Sequence, residues 1–156
     1  MRNWRKKTRN HVDKAEQYFC KNFNCSQAVF TTFATELGLE EEVALKLATQ
    51  FGGGARKGEL CGAVSGALMV FGLKYGHCHA EDMQEKGKAY KIGEDFMNRF
   101  IVEQETVVCR ELLGYDLTKA EDAEKIKELG LFQTICPKMI RCATAIVEQM
   151  MEDYFE

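Results

Sequence analysis

The sequence has few of the residues that punctuate β structure and none of the familiar short thiol motifs. Of its 156 residues one is proline, and no stretch alternates apolar and polar residues between hairpin turns, which argues against a sandwich or barrel. No Cys-x-x-Cys occurs among the seven cysteines, so neither a thioredoxin-type redox pair nor a zinc ribbon is indicated. The longest nearly apolar run, residues 60–73, is 14 residues. A membrane-spanning helix needs about 20, so no membrane insertion is expected and this run reads as a buried core helix. The basic start is followed by no apolar segment of the kind a secretory signal carries. The chain is therefore expected in a reducing cytoplasm, where structural disulfides are uncommon. An odd number of cysteines points the same way.

What is present is enough for one globular domain. Hydrophobic residues make up 46% of the chain and charged residues 29%, which excludes disorder, and this length buries roughly two-thirds of its unfolded surface. Net charge is −3, but residues 1–9 hold five Lys and Arg and no acid, leaving sixteen basic against twenty-four acidic groups elsewhere. An acidic body repels nucleic acid, and none is expected as a partner. Residues 1–10 read as a basic, solvated tail on a single all-helical domain spanning 11–156.

Almost every segment repeats at helical spacing. Val29, Phe33 and Leu37 form one stripe and Val43, Leu47 and Phe51 a second. Ala89, Ile92, Phe96 and Phe100 form a third, and Ile140, Ala143, Val147, Met151 and Tyr154 a fourth. The pattern predicts helices over about 11–22, 25–37, 40–51, 59–75, 80–104, 107–113, 119–129 and 137–154. Gly38, Gly76, Gly114 and Gly130 stand at their ends, while Gly87 and Gly93 are positions where the fifth could kink or divide. The fold class is all-α, a single-domain bundle of about six to eight helices.

Four cysteines fall where helices are expected to begin. Cys25 follows Asn24, a good N-cap with Gln27 three residues on. Cys61 opens the apolar helix, Cys109 lies three residues after Thr106, and Cys136 precedes Pro137, a residue at home in a first helical turn. Helix N-termini favour thiolate over thiol, and Arg56, Lys57, Arg110 and Lys138 lie close in sequence. Cys20 and Cys142, deeper in their helices, read as core residues. Cys20 is also placed to resolve a disulfide of Cys25, and Cys78 in Gly76-His77-Cys78-His79 belongs to a polar loop. The glycine-rich stretch 52–58 has no Lys-Ser/Thr after it, so it is not a nucleotide loop. Gly62 and Gly66 make a bare helix face beside Cys61 that admits another helix or a compact cofactor. Glu148, Glu152 and Asp153 read as a solvated face, and Glu59 is placed to orient or restrain Cys61.

The blocks Asn24-Cys25-Ser26-Gln27-Ala28-Val29, Phe51-Gly52-Gly53-Gly54, Gly58-Glu59-Leu60-Cys61-Gly62-Ala63-Val64-Ser65-Gly66-Ala67, Cys109-Arg110-Glu111-Leu112-Leu113-Gly114 and Cys136 resemble the C_GCAxxG_C_C family of redox-active bacterial and archaeal proteins. The resemblance covers residues 15–150. Where the family label prints Gly-Cys-Ala, this chain has Cys-Gly-Ala. The resemblance places the four family cysteines on Cys25, Cys61, Cys109 and Cys136 and implies a redox role. It also implies a membrane transport system as a partner, since such genes often stand near transporter genes.

Three functions follow. One is thiol–disulfide exchange by a thiol-dependent oxidoreductase with an unidentified redox partner. Cys25 and Cys61 are the first-choice pair, though four cysteines allow three connectivities. Another is a metal site in which Cys25, Cys61, Cys109 and Cys136 hold an iron–sulfur cluster or zinc. Their separations of 36, 48 and 27 residues are unlike the short turns of zinc modules. The third is a non-redox helical adaptor of a transport system. Whether the four sulfurs converge decides between them.

Overall fold

The computed structural model describes the backbone of residues 4–154 and side chains from Asn10 to Tyr154. Eight α-helices follow one another: α1 Trp4–Cys20, α2 Cys25–Ala34, α3 Glu41–Ala48, α4 Gly62–Tyr75, α5 Met83–Gln104, α6 Cys109–Leu113, α7 Ala120–Glu128 and α8 Leu131–Asp153. Among the described residues there is no strand, only one antiparallel bridge between Leu60 and Val108. No helix is long and apolar enough to cross a membrane. The expected fifth helix runs unbroken through Gly87 and Gly93. The reading of residues 1–10 as a solvated tail rests largely on side chains outside the described residues, but the backbone is already helical from Trp4.

Helix α2 is the hub, packed against α1, α3, α4 and α8, and all ten of its residues are buried. Its start follows from sequence. The Asn24 side chain accepts from the Gln27 amide at 2.9 Å and Gln27 Oε1 accepts from the Asn24 amide at 2.9 Å, a capping box worth about 1 kcal/mol. Gln27 Nε2 also donates to the Leu45 carbonyl at 3.0 Å, and Asn24 Nδ2 to that of Thr49 at 2.9 Å. The cap thus ties α2 to the end of α3. Helix α4 lies on α2 with little between them. A Cβ at Gly66 would stand 2.8 Å from the Ser26 carbonyl oxygen, and one at Gly62 would stand 3.1 Å from Cys25 Cβ. The bare face of α4 therefore admits α2.

Two expectations about helix faces are corrected. Val43, Leu47 and Phe51 point outward, 40%, 55% and 42% exposed, because Ala44 and Ala48 make the inward face of α3. Glu148 is buried, not solvated. It sits against His11 of α1, a partner 137 residues away that a helical repeat in α8 cannot reveal.

Candidate functional site: four cysteines around one cavity

Cys25, Cys61, Cys109 and Cys136 line a single cavity of about 180 Å³. Three different devices put them there. The capping box sets Cys25 as the first residue of α2. Cys61 and Cys109 are fixed by the bridge, in which the Cys61 amide donates to the Val107 carbonyl at 2.8 Å and the Cys109 amide to that of Glu59 at 2.6 Å. Cys136 enters from α8, against which α2, α4 and α6 all pack. Phe19, Leu112, Leu113, Phe132, Ile135 and Met139 supply the apolar remainder of the wall. All four thiols are nearly closed off, at 8%, 5%, 7% and 9% exposure in chain order.

Helix position explains less of the thiol chemistry than expected. Cys136 does not open a helix: α8 starts at Leu131, after Gly130 in the left-handed region, and Pro137 lies inside it. Proline there deprives only the exposed Gln133 carbonyl of its helical donor. Cys109 does open α6, with Val108 rather than Thr106 at the cap. Cys61 is itself the N-cap of α4, and the nearby Ala63 and Val64 amides act to lower its pKa.

Burial nevertheless outweighs those amides. It pushes the Cys61 thiol up to about 11 and Cys109 up to about 12, with the nearby Arg56 guanidinium opposing only in part. The exception is the pair Cys25–Cys136. The hydrogen bond between these thiols raises Cys25 well above the ordinary thiol value, with burial adding to it. The same bond lowers Cys136 against the effect of its own burial. Of the pair, Cys136 is the thiol whose pKa is lowered. The thiol that acts most strongly on Cys25 is Cys136, ahead of Cys61 and Cys109.

The other polar residues fall elsewhere. Arg110 pairs with Glu59 at 2.6 Å, so the Glu59 carboxylate is engaged with α6. Cys20 is exposed, which corrects its reading as core. Cys142 is half-buried, and Cys78 is exposed in the loop before α5. None of these three lines the cavity, nor does any histidine. Gly62 lies in the wall, whereas Gly66 faces α2. All seven thiols are free. Among the described residues no three His, Cys, Asp or Glu are grouped closely enough to hold a metal ion. The four sulfurs as placed do not form such a cage.

The family model described as "Putative redox-active protein (C_GCAxxG_C_C)" matches residues 23–150, which takes in all four cavity cysteines. The chain belongs to the C_GCAxxG_C_C family. Membership gives it a redox role in general terms. Comparison with curated proteins and with solved structures finds no match to either. The reaction of this C_GCAxxG_C_C protein is therefore argued from its cavity.

Proposed function

We propose that the protein is a thiol-dependent oxidoreductase that exchanges electrons through a reversible Cys25–Cys136 disulfide. The convergence of Cys25 and Cys136 on one apolar cavity carries the reading, and the lowered pKa of Cys136 beside a raised Cys25 supports Cys136 as the nucleophile and Cys25 as the thiol that resolves it. The Cys136 thiolate attacks one sulfur of a substrate disulfide, forming a mixed disulfide and expelling a substrate thiolate. Cys25 gives up its proton to that leaving thiolate and attacks the Cys136 sulfur. The second substrate thiolate leaves, two electrons have passed to the substrate, and the protein holds the Cys25–Cys136 disulfide. Cys61 and Cys109, held neutral by burial, stand beside this pair in the same cavity wall.

The test is mild oxidation of the full chain with diamide, followed by intact mass and non-reducing peptide mapping. A loss of two hydrogens with a Cys25–Cys136 link is expected. Cys136→Ser should remove it, whereas Cys61→Ser should retain it. A link that survives Cys136→Ser, or that joins Cys25 to Cys61, overturns the pairing. Anaerobic purification is expected to give no visible absorption. Bands that bleach on reduction would replace the dithiol with an iron–sulfur site.

A further inference from the structure

Access and charge at the cavity define what can reach the thiols. Their exposure of 9% or less leaves no place for a disulfide held between the backbones of a folded partner. Six apolar side chains line the space, and the one charged residue in its wall is Arg56. Arg56 also differs from the other described arginines. Arg99 pairs with Asp153, Arg110 with Glu59 and Arg141 with Glu16. No described carboxylate lies within pairing distance of Arg56, and its charge acts on Cys109 in the wall.

The backbone beneath Arg56 is strained. Residues 53–56 all have positive φ, including Ala55 at 55° and Arg56 at 60°. For a residue with a Cβ the left-handed conformation costs about 1–2 kcal/mol. Runs of it are rare, and such strain concentrates at ligand clamps. Here it has a local cause. A Cβ at Gly54 would stand 2.3 Å from the Glu59 nitrogen, and the Glu59 amide donates to the Gly54 carbonyl at 3.2 Å. The chain between is thereby closed into one tight turn. That turn lays the guanidinium against Gly53, where a Cβ would stand 2.8 Å from Nη1, and so holds Arg56 to the cavity wall.

We propose that the substrate is a small-molecule disulfide with an apolar body and an anionic group, its anion bound by Arg56 and its sulfur presented to Cys136. This rests on the thiol-exchange reading above. The apolar body displaces water from the Phe19, Phe132 and Met139 side of the cavity, which favours binding by burial. The guanidinium supplies a bidentate donor for a carboxylate or a comparable oxyanion. The electron balance is the one already given: two thiols leave, and the protein retains the disulfide until a dithiol reduces it.

The experiment uses the reduced full chain with Cys20, Cys78 and Cys142 replaced by serine, so that only cavity thiols report. Rates are compared for dithiobis(nitrobenzoate), an anionic aromatic disulfide, neutral dithiodipyridine, dicationic cystamine and folded insulin. Each rate is divided by that of free cysteine with the same compound. The anionic aromatic probe should exceed cystamine by about tenfold or more, equivalent to about 1.4 kcal/mol, with insulin slowest. Arg56→Gln should lower the ratio of anionic to neutral rates about fivefold or more, with Arg56→Lys restoring part of it, on the same conversion. The neighbouring exposed Lys57→Gln serves as the control and should leave that ratio unaltered.

An unaltered ratio in Arg56→Gln, or insulin as fast as the anionic probe, overturns the substrate assignment while leaving the exchange reading intact. If Cys136→Ser leaves the reaction with neutral dithiodipyridine at its original rate, the exchange reading itself fails. That outcome does not depend on Arg56.

Discussion

Two buried polar sites share helices α2 and α8, and the same burial acts on them in different ways. One is the thiol cavity, reached from the start of α2 and the early part of α8. The other, about 18 Å further along α8 at 1.5 Å per residue, is built on His11 of α1. Its Nδ1 bonds Glu148 Oε1 at 2.9 Å, its Nε2 bonds Glu36 at 2.9 Å, and its ring stacks on Phe33. There the Glu148 hydrogen bond overcomes the opposing burial, and with Glu36 it raises the His11 pKa above 6.5. In the cavity the Arg56 guanidinium opposes burial only in part, so Cys61 and Cys109 stay neutral, and only Cys136, coupled to Cys25, has its pKa lowered. Charge pairing makes the histidine site a clasp between α1, α2 and α8. The thiols of the cavity, without such a partner, are left for the exchange proposed above.

The contrast breaks most visibly at Glu148. Removing one partner of a buried pair leaves the other charge uncompensated, so Glu148→Ala should cost about 3–5 kcal/mol of stability. Cys136→Ala, which removes no ion pair, should cost about 1 kcal/mol. Urea denaturation of both variants at pH 6, with equal m-values, checks this. Equal losses would mean that His11 is neutral and that the clasp is a pair of ordinary hydrogen bonds.

Glu148 also shows where the sequence stops being legible. The helices, the Asn24–Gln27 capping box and the four cavity cysteines are local or motif-level features, and the chain displays them. What the sequence hides is which groups meet. The Glu148 partner is on α1, and Cys136 looks like a helix start only because Pro137 follows it. The true start, Leu131, is five residues earlier, after Gly130 in the left-handed region. For Cys61, Cys109 and Cys25 the position near a helix start is legible. The size of the burial that overrides it depends on tertiary packing, which no local pattern carries.

A smaller effect separates the two ends of α4. Gly66→Ala drives a Cβ to 2.8 Å from the Ser26 carbonyl oxygen. It should destabilise by about 1–3 kcal/mol, pushing α4 away from α2 near Cys25. Gly72→Ala meets nothing within 4 Å and should stabilise by up to about 1 kcal/mol through helix propensity. The two variants should therefore move the thermal midpoint in opposite directions. A shared direction would mean that α2 and α4 do not pack through glycine.

Both sites lose stability as pH rises, in separate windows. The folded-state pKa of His11 is raised, so its contribution is complete below about 6.5, the unfolded value, and is lost as pH climbs through the folded value. Cys61 and Cys109 are raised from 9.0 to about 11 and about 12. Their neutral thiols favour the folded state below pH 9, and that advantage disappears between 9 and 12. His11→Gln should flatten the stability profile only in the lower window, and Cys61→Ser only in the upper. A single variant that flattens both would show the two sites to be coupled through α2 and α8.

The smallest effect lies at Ala55, and it tests whether strain is held at the cavity and nowhere in the clasp. Glycine at φ 55° carries no Cβ penalty, so Ala55→Gly should recover most of about 1–2 kcal/mol. Part of that gain is offset by the greater freedom glycine gives the unfolded chain, about 0.4–1 kcal/mol. A net stabilisation of about 0.5–1 kcal/mol follows. That corresponds to a rise in midpoint of a few degrees for a domain of this size. The Ala55 side chain is exposed, so its removal uncovers little buried surface. A neutral or destabilising result would mean that the turn is right-handed in solution and that Arg56 is not held against the thiols by its backbone.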